Sequence, residues 1–280
     1  MKILRSNEFF LSERHAFCLF VLNNQKMEEV HGHEFDELVI VVAGSGFHII
    51  NDNVQFIYQG DFFFVTFNDT HSYLSTNNLS VINLLIRRER RFQYITNIDV
   101  LLNYLRGNSA QEKIHAHCLS AEEIDQIVAF SNAINARNDD NFDMLYFCAT
   151  ESMVLMMINQ LCQSVTQKHS VDNVADARRM KLIHLLKHHY LHHINWSELC
   201  EECGIARRTM FRFIKEITGY TPVKFQLLFR LLKAQELLRT TDKTIKEVAA
   251  SCGFQNATRL TESYKRQFTY PPSQERHRQR

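Results

Sequence analysis

The most constraining feature of this chain is a short pattern that occurs twice in its last hundred residues. In the first copy, Trp196, Leu199 and Cys203 are spaced to share one face of a short helix, and Gly204 stands where that helix must stop. A second helix from near Ala206 turns Met210 and Ile214 inward; Gly219 then closes it and Pro222 opens a longer one. Glycine reaches the left-handed backbone that ends a helix at no steric cost, and proline suits a helix's first turn, where its missing N–H is not needed. The second copy repeats the plan. Thr244-Ile245-Lys246-Glu247-Val248-Ala249 opens a short helix, Cys252-Gly253-Phe254 closes it, and a helix from Asn256 buries Leu260 and Tyr264 before Pro271-Pro272. Helix, tight turn, helix is the layout by which one helix is presented to the DNA major groove. Two copies, joined by the Leu-rich segment 222–239, form a repeat.

Charge supports this reading once the chain is divided. The net charge of the 280 residues is only +1, but residues 177–280 hold 20 Lys+Arg against 9 Asp+Glu, while the rest hold 12 against 22. A basic part joined to an acidic part points to a polyanion-binding domain attached to one with another task. The length favours two domains, and a 45% hydrophobic content is ample for buried cores. No run of 18 or more apolar residues occurs, so no membrane span is expected. The first residues turn polar too soon for a signal peptide, and seven scattered cysteines give no disulfide framework. A reducing cytoplasm is the expected compartment.

Residues 1 to about 90 carry β-rich runs. Leu38–Val42 is β-branched and is followed by Ala43-Gly44-Ser45-Gly46, which reads as a turn; Phe47–Ile50 and Val54–Ile57 flank Asn51-Asp52-Asn53 as a hairpin. Strands at this spacing predict a small barrel or sandwich. From 119 to 163 the period becomes helical. Ser120 with Glu123 is a capping box, and Met144, Phe147, Met153, Met156 and Leu161 form an apolar surface on a second helix. These helices are expected either to cover the barrel or to pair between subunits. The polar stretch 164–177 reads as a linker. The expected architecture is α+β: a cupin-like β-barrel with a helical dimerisation segment over 1–163, then an all-α double helix-turn-helix domain over 178–280.

The last domain resembles the AraC/XylS family of bacterial regulators. The resemblance is carried by Gly204-Ile205, Arg212, Lys215, Thr218-Gly219-Tyr220-Thr221-Pro222, Ile245, Val248-Ala249, Cys252-Gly253-Phe254, Phe268 and Pro272. It implies two recognition helices in successive major-groove turns of double-stranded DNA, about 34 Å apart. The implied base readers are Arg208, Phe211 and Arg212 on the first helix, flanked by Arg207, and Ala257, Thr258 and Glu262 on the second. Arg207, Arg208 and Arg212 are arginines on an outward face, the residue type that pairs with guanine O6 and N7. The second set departs from the family, which often has a polar or basic reader where Glu262 stands and an aromatic residue where Leu260 stands. The usual Ser cap of the first helix is Ala206. The second half is therefore expected either to read DNA weakly or to act mainly through backbone contacts from Arg259, Lys265 and Arg266. An acidic residue on the second motif, Glu247, is implied to touch the sigma subunit of RNA polymerase; helix capping is the alternative role for it.

His31-Gly32-His33-Glu34-Phe35-Asp36-Glu37 with Gly44, and Gly60-Asp61 with His71, have the spacing of the two cupin motifs. His31, His33, Glu37 and His71 form a chemically sensible transition-metal set, which keeps a metal-binding cupin enzyme open as an alternative. The resemblance implies instead a barrel that holds a small effector and no metal. A purely structural role for the histidines is a third reading. Ser6–Phe10, His33–Val41, Asp69–Tyr73, Arg91–Tyr94 and Ile194–Trp196 are similar to the regulators of L-rhamnose operons. That likeness implies L-rhamnose as effector, transcription activation and a homodimer; another sugar or small molecule is the alternative. Cys200 and Cys203 lack a second pair at zinc spacing and share a helix face, so both read as core. The histidines between His188 and His193 read as a solvated turn.

Overall fold

The computed structural model describes residues 2–88, 92–109, 119–137, 143–166, 174–188 and 194–278. The chain divides into two compact units, Met1–His48 with Ile57–Ser170, and Ile49–Phe56 with Val171–Arg280.

The N-terminal part is a seven-stranded sheet backed by helices. Its strands are β1 (Lys2–Leu4), β2 (Phe17–Leu22), β3 (His31–His33), β4 (Asp36–Ile50), β5 (Asn53–Tyr58), β6 (Phe62–Val65) and β7 (Thr70–Ile86), with the single-turn helix α1 (Ser6–Phe9) after β1. The pairing path runs β1-β3-β7-β4-β5, with β2 also on β7 and β6 also on β4. This overturns the expected barrel. Closure requires every strand to have a neighbour on both sides, whereas here two long strands branch. The start of β7 pairs with β3 (His31↔His71) and its end with β2 (Phe17↔Ile86). The first part of β4 pairs with β6 (Glu37↔Val65 to Ile40↔Phe62). No pairing joins β1 to β5 among the described residues, so the sheet stays open.

A second expectation fails at Gly44. Residues 43–46 do not reverse the chain, and β4 runs through them. Gly44 has φ +73°, and a Cβ there would lie 2.3 Å from the Asn78 carbonyl oxygen of β7. Glycine is required by this close approach of backbone, not by a turn. The hairpin expected at 51–53 does form: β4 ends at Ile50, β5 starts at Asn53, and Asn51 and Asp52 both adopt positive φ (48° and 65°), the mirror-image turn that suits twisted strands.

Among the described residues three helices cover the sheet: α2 (Ile98–Ser109), α3 (Ala121–Asn135) and α4 (Met144–Thr166). Ser120 and Glu123 form the expected capping box at α3. Ile98, Leu102 and Leu105 of α2, Ile124 and Ile127 of α3, and Val154, Ile158 and Leu161 of α4 bury against Leu38, Ile40, Ile82 and Leu84 of the sheet. The α4 surface differs from expectation. Phe147 and Leu161 are buried, but Met144 (63% exposed) and Met156 (53%) face outward with Leu145 (68%). By length and composition α4 is also apolar enough to cross a membrane, which the sequence reading had not anticipated; its inward face belongs to the core just described.

The C-terminal part is helical: α5 (Val174–His188), α6 (Trp196–Cys203), α7 (Arg207–Thr218), α8 (Pro222–Thr240), α9 (Ile245–Ser251), α10 (Ala257–Phe268), a 3-10 turn (Pro272–Gln274) and α11 (Glu275–Arg278). Helices α4 and α5 both run into the stretch read as linker, ending at Thr166 and starting at Val174. Gly204 and Gly219 cap α6 and α7 in the left-handed region (φ 62° and 75°). Pro222 opens α8 at its first turn. Leu231, Ala234 and Leu238 of α8 meet Val248, Ala249, Cys252, Leu260 and Tyr264 in the core of the second motif. Cys203 is buried, and the half-buried Cys200 lies 3.6 Å from the Met210 sulfur, so both are core as expected. The histidine-rich turn after His188 lies outside the described residues.

Candidate nucleic-acid interface and effector site

Helix α7 separates its faces cleanly. Met210, Ile214, Ile217 and Thr218 are buried, while Arg207, Arg208, Arg212 and Lys215 are exposed. Arg208 and Arg212 are four apart and share a face. No hydrogen bond or ion pair engages either among the described residues, so both guanidinium forks are available to a ligand. Phe211 is placed differently from its neighbours. It is half-buried, its ring meeting Trp196 edge-on at 5.6 Å, with the Arg207 guanidinium 5.1 Å from the ring centre. Phe211 thus ties α7 to α6 and steadies Arg207. Ala206 supplies no side-chain cap.

Helix α10 is chemically unlike α7. Asn256 caps it by accepting from the Arg259 N–H at 2.9 Å. Leu260 and Tyr264 point inward, Ala257 is half-buried, and Thr258, Arg259, Glu262, Lys265 and Arg266 are exposed. Arg259 Nη1 lies 3.6 Å from Glu262 Oε2, one turn apart. Such a solvent-exposed pair adds little stability, yet it lowers the positive potential of this face. The basic pairing chemistry sits mainly on α7.

The second motif is held by a carboxylate that sequence reasoning missed. Glu275, fully buried, accepts from Tyr264 Oη, from Tyr270 Oη (2.7 Å), from Arg239 Nε (2.7 Å) and from Gln235 Nε2 (3.3 Å). One side chain so ties α8, α10 and the C-terminal segment together. Burial alone would raise its carboxyl, but the donors Tyr264, Tyr270 and Arg239 outweigh burial and hold it below the ordinary range. The donors lie 5 to 40 residues away in the chain, so no local motif announces them. Glu247 is exposed and completes a capping box: its N–H donates to Thr244 Oγ1 (3.2 Å) and its Oε2 accepts from the Thr244 N–H (2.7 Å). Hydrogen bonds from the Thr244 backbone and hydroxyl lower its carboxyl.

In the N-terminal unit the four residues singled out by spacing do converge. His31 and His33 lie two apart on β3 and so share a face. His71 stands opposite His31 in the β3–β7 register, and Glu37 is the second residue of β4. All four are buried, from 2% to 4% exposed. His71 Nε2 lies 3.1 Å from His33 Nε2, and Glu37 Oε2 lies 3.6 Å from His71 Nε2 and 3.8 Å from His33 Nε2. The structure adds three residues that spacing alone did not reveal. His48 Nε2 is 3.0 Å from His71 Nδ1, Asn83 Nδ2 donates to Glu37 Oε1 at 2.5 Å, and Tyr73 is buried beside His48 and His71. Tyr73 lies two residues after His71 and had a signal in the strand period; His48 and Asn83 join the site only through the sheet's register.

Burial governs the electrostatics of this cluster. It pushes His33 down to about 4 and His48 to about 3, and it also lowers His71 and His31. Burial raises Glu37 to about 8, against the pull of the Asn83 hydrogen bond. Burial thus favours the uncharged form of each of these groups, and the approaches of Glu37 to His33 and His71 at 3.8 and 3.6 Å are not strong ion pairs. A compact set of uncharged donors and acceptors is suited to a polar, uncharged ligand such as a hydroxylated small molecule.

Two helix-turn-helix motifs with exposed arginines, joined to a unit with its own buried polar cluster, define a DNA-binding transcription regulator with a sensory part. Comparison with known proteins places it more closely. Residues 18–126 match the family described as "AraC-like ligand binding domain" and residues 199–278 the "Helix-turn-helix domain". The chain is 31% identical over 270 residues to the HTH-type transcriptional activator RhaS of Mannheimia succiniciproducens, covering 96% of this chain and 97% of that one. It is 28% identical over 272 residues to RhaS of Escherichia coli, covering 97% and 96%. Among solved structures, the DNA-binding domain of AdpA in complex with a target DNA is 29% identical, covering 38% of this chain and 91% of that one, with a TM-score of 0.32. The chain belongs to the AraC/XylS family of helix-turn-helix transcriptional regulators and is closely related to RhaS-type activators. It is a sequence-specific DNA-binding regulator with a small-molecule effector of the AraC/RhaS type, and not an enzyme.

Proposed function

We propose that this protein is a cytoplasmic, homodimeric activator of a sugar-catabolism operon, and that L-rhamnose is its effector. The observation that carries the reading is its end-to-end likeness to RhaS activators, over 96% of the chain, extending through the segments that hold His33, Glu37 and His71. In this reading residues 1–163 sense and dimerise, 164–177 connect, and 178–280 read DNA. The buried polar cluster supplies hydrogen bonds to the sugar hydroxyls. Arg208 and Arg212 read bases in the first half-site, while Arg259, Lys265 and Arg266 hold phosphates in the second. Met144, Leu145, Leu155 and Met156 are exposed on α4, with 144 and 155, and 145 and 156, eleven residues apart and hence on one side of the helix. That stripe supports pairing between two copies. Glu247, outward-facing on α9, is the contact to the polymerase sigma subunit.

The test is a promoter reporter with the full-length protein and a panel of monosaccharides, alongside thermal melts of the pure protein. A ligand that binds only the folded state raises its melting temperature. Reporter activation and a melting shift with L-rhamnose, both blunted in Glu37→Ala, are the expected results. A response to a different sugar overturns the effector assignment while leaving the regulator intact.

A further inference from the structure

The buried cluster has the geometry of a metal site as well as of a polar pocket. Donors bound to one ion at 2.0–2.2 Å, spread over the angles of tetrahedral to octahedral coordination, lie roughly 3.0–3.5 Å apart. His33 Nε2, His71 Nε2 and Glu37 Oε2 form a triangle with edges of 3.1, 3.6 and 3.8 Å. Only movements of a few tenths of an ångström are needed to seat an ion against all three. His31, His33 and His71 also bring one ligand atom each within 4.8 Å of one another.

Three further observations point to a cation. The Glu37 side chain is buried, Oε1 accepts from Asn83, and Oε2 accepts no hydrogen bond among the described residues although it faces the two imidazole nitrogens. A dication is the partner that a buried carboxylate oxygen in that position lacks. His31 Nδ1 lies 3.0 Å from the Glu29 carbonyl oxygen, which can only accept, so the proton sits on Nδ1 and Nε2 presents a lone pair. His71 is backed by His48, whose Nε2 can accept the His71 Nδ1–H at 3.0 Å and leave His71 Nε2 to coordinate.

We propose that the N-terminal unit binds a divalent first-row transition ion, with His33 Nε2, His71 Nε2 and Glu37 Oε2 as its ligands and His31 at its edge. Imidazole and carboxylate without thiolate suit Zn²⁺ and its neighbours. Zn²⁺, which imposes no geometry of its own, accommodates the unequal triangle best. Three protein ligands leave a position open for water or for a hydroxyl of a bound molecule. The ion site does not depend on which effector the protein senses.

The test uses full-length protein freed of metal by a chelator and then dialysed. The histidines at 188, 189, 192 and 193 are a competing ligand set by sequence, so every variant is also made in a background with all four changed to Gln. Titration with Co²⁺, followed by its visible absorption, and with Zn²⁺, followed by calorimetry and thermal melts, reads the stoichiometry. The expected result is one equivalent bound in the background protein, with a raised melting temperature. His33→Gln and His71→Gln should each weaken binding a hundredfold or more. If either fails to fold, Glu37→Gln, which keeps the shape and an acceptor for Asn83, should still weaken binding at least tenfold and change the Co²⁺ spectrum. Absence of stoichiometric binding in the background protein overturns the proposal. So does binding that Glu37→Gln leaves unchanged. A sugar response that survives complete metal removal leaves the effector reading standing on its own.

Discussion

The Glu275 carboxylate allows a quantitative test of how the second helix-turn-helix is held. Glu275→Ala removes the acceptor of four hydrogen bonds at once, and the Tyr264 hydroxyl it leaves behind is fully enclosed. Hydrogen bonds to a charged group contribute about 1.5–3 kcal/mol each, but bonds sharing one acceptor do not add. Breaking a buried charged pair by deleting one partner costs about 3–5 kcal/mol, which is the magnitude expected here. Against a total of about 5–15 kcal/mol for a domain, that loosens α10 substantially. Glu275→Gln keeps the shape and one acceptor, and should cost about 1–3 kcal/mol. The assay is hydrogen exchange of the α10 amides in the full-length protein, which reads local opening without assuming one cooperative transition. The acid side gives an independent check. The Glu275 carboxyl is depressed in the fold, so its stabilisation is present above its ordinary value of 4.5 and is lost as pH falls through the lower folded value. Wild type should therefore lose α10 protection below about pH 4.5 more steeply than Glu275→Gln. Unchanged α10 exchange in Glu275→Ala would refute the reasoning.

Three further outcomes are expected. Arg208→Ala and Arg212→Ala should each weaken cognate-site binding by about 1–3 kcal/mol, whereas Lys265→Ala should weaken all sequences alike and reduce the salt slope by about one; gel shifts at several salt concentrations separate the two. Glu247→Gln keeps the reciprocal cap with Thr244, so a loss of transcription at unchanged operator affinity and melting temperature identifies a polymerase contact, and full activity removes it. Gly44→Ala should destabilise the N-terminal unit, because its new Cβ meets the Asn78 backbone and the residue must keep positive φ; a melting curve equal to wild type would show that β4 and β7 can part there.

The helical part was legible because its signals are local. Gly204, Gly219 and Pro222 mark their own boundaries within a few residues, and the inward Leu260 and Tyr264 follow from helical period alone. The sheet was legible strand by strand but not as a whole. Whether it closes depends on β4 and β7 being long enough to serve three partners each, and the β-branched runs do not announce their partners. Gly44 shows the same limit: a glycine beside a serine and a second glycine marks a turn and a close crossing equally well. The four predicted cluster residues were found from spacing, while His48 and Asn83 needed the register that brings β4 and β7 side by side. Phe211 was aligned as a base reader, yet its ring packs on Trp196, a contact between two helices that neither helix's pattern contains.

The branching of the sheet also sets a timetable for synthesis. Strand β2 finds its partner only when β7 exists, since Phe17 pairs with Ile86 across almost seventy residues of chain. Until then the first strands leave the ribosome with unpaired edges and an uncovered apolar face, and closing so long a loop is entropically slow. The helical part assembles its motif cores from contacts close in sequence, such as those that join α9 to α10. It is made last but is equipped to fold fastest, so on refolding from denaturant its helices should return first, ahead of the slower phase in which β2 and β7 meet. A refolding chain is thus able to hold DNA-reading helices before its sensory sheet is complete, and the interval between the two is when it is most open to aggregation.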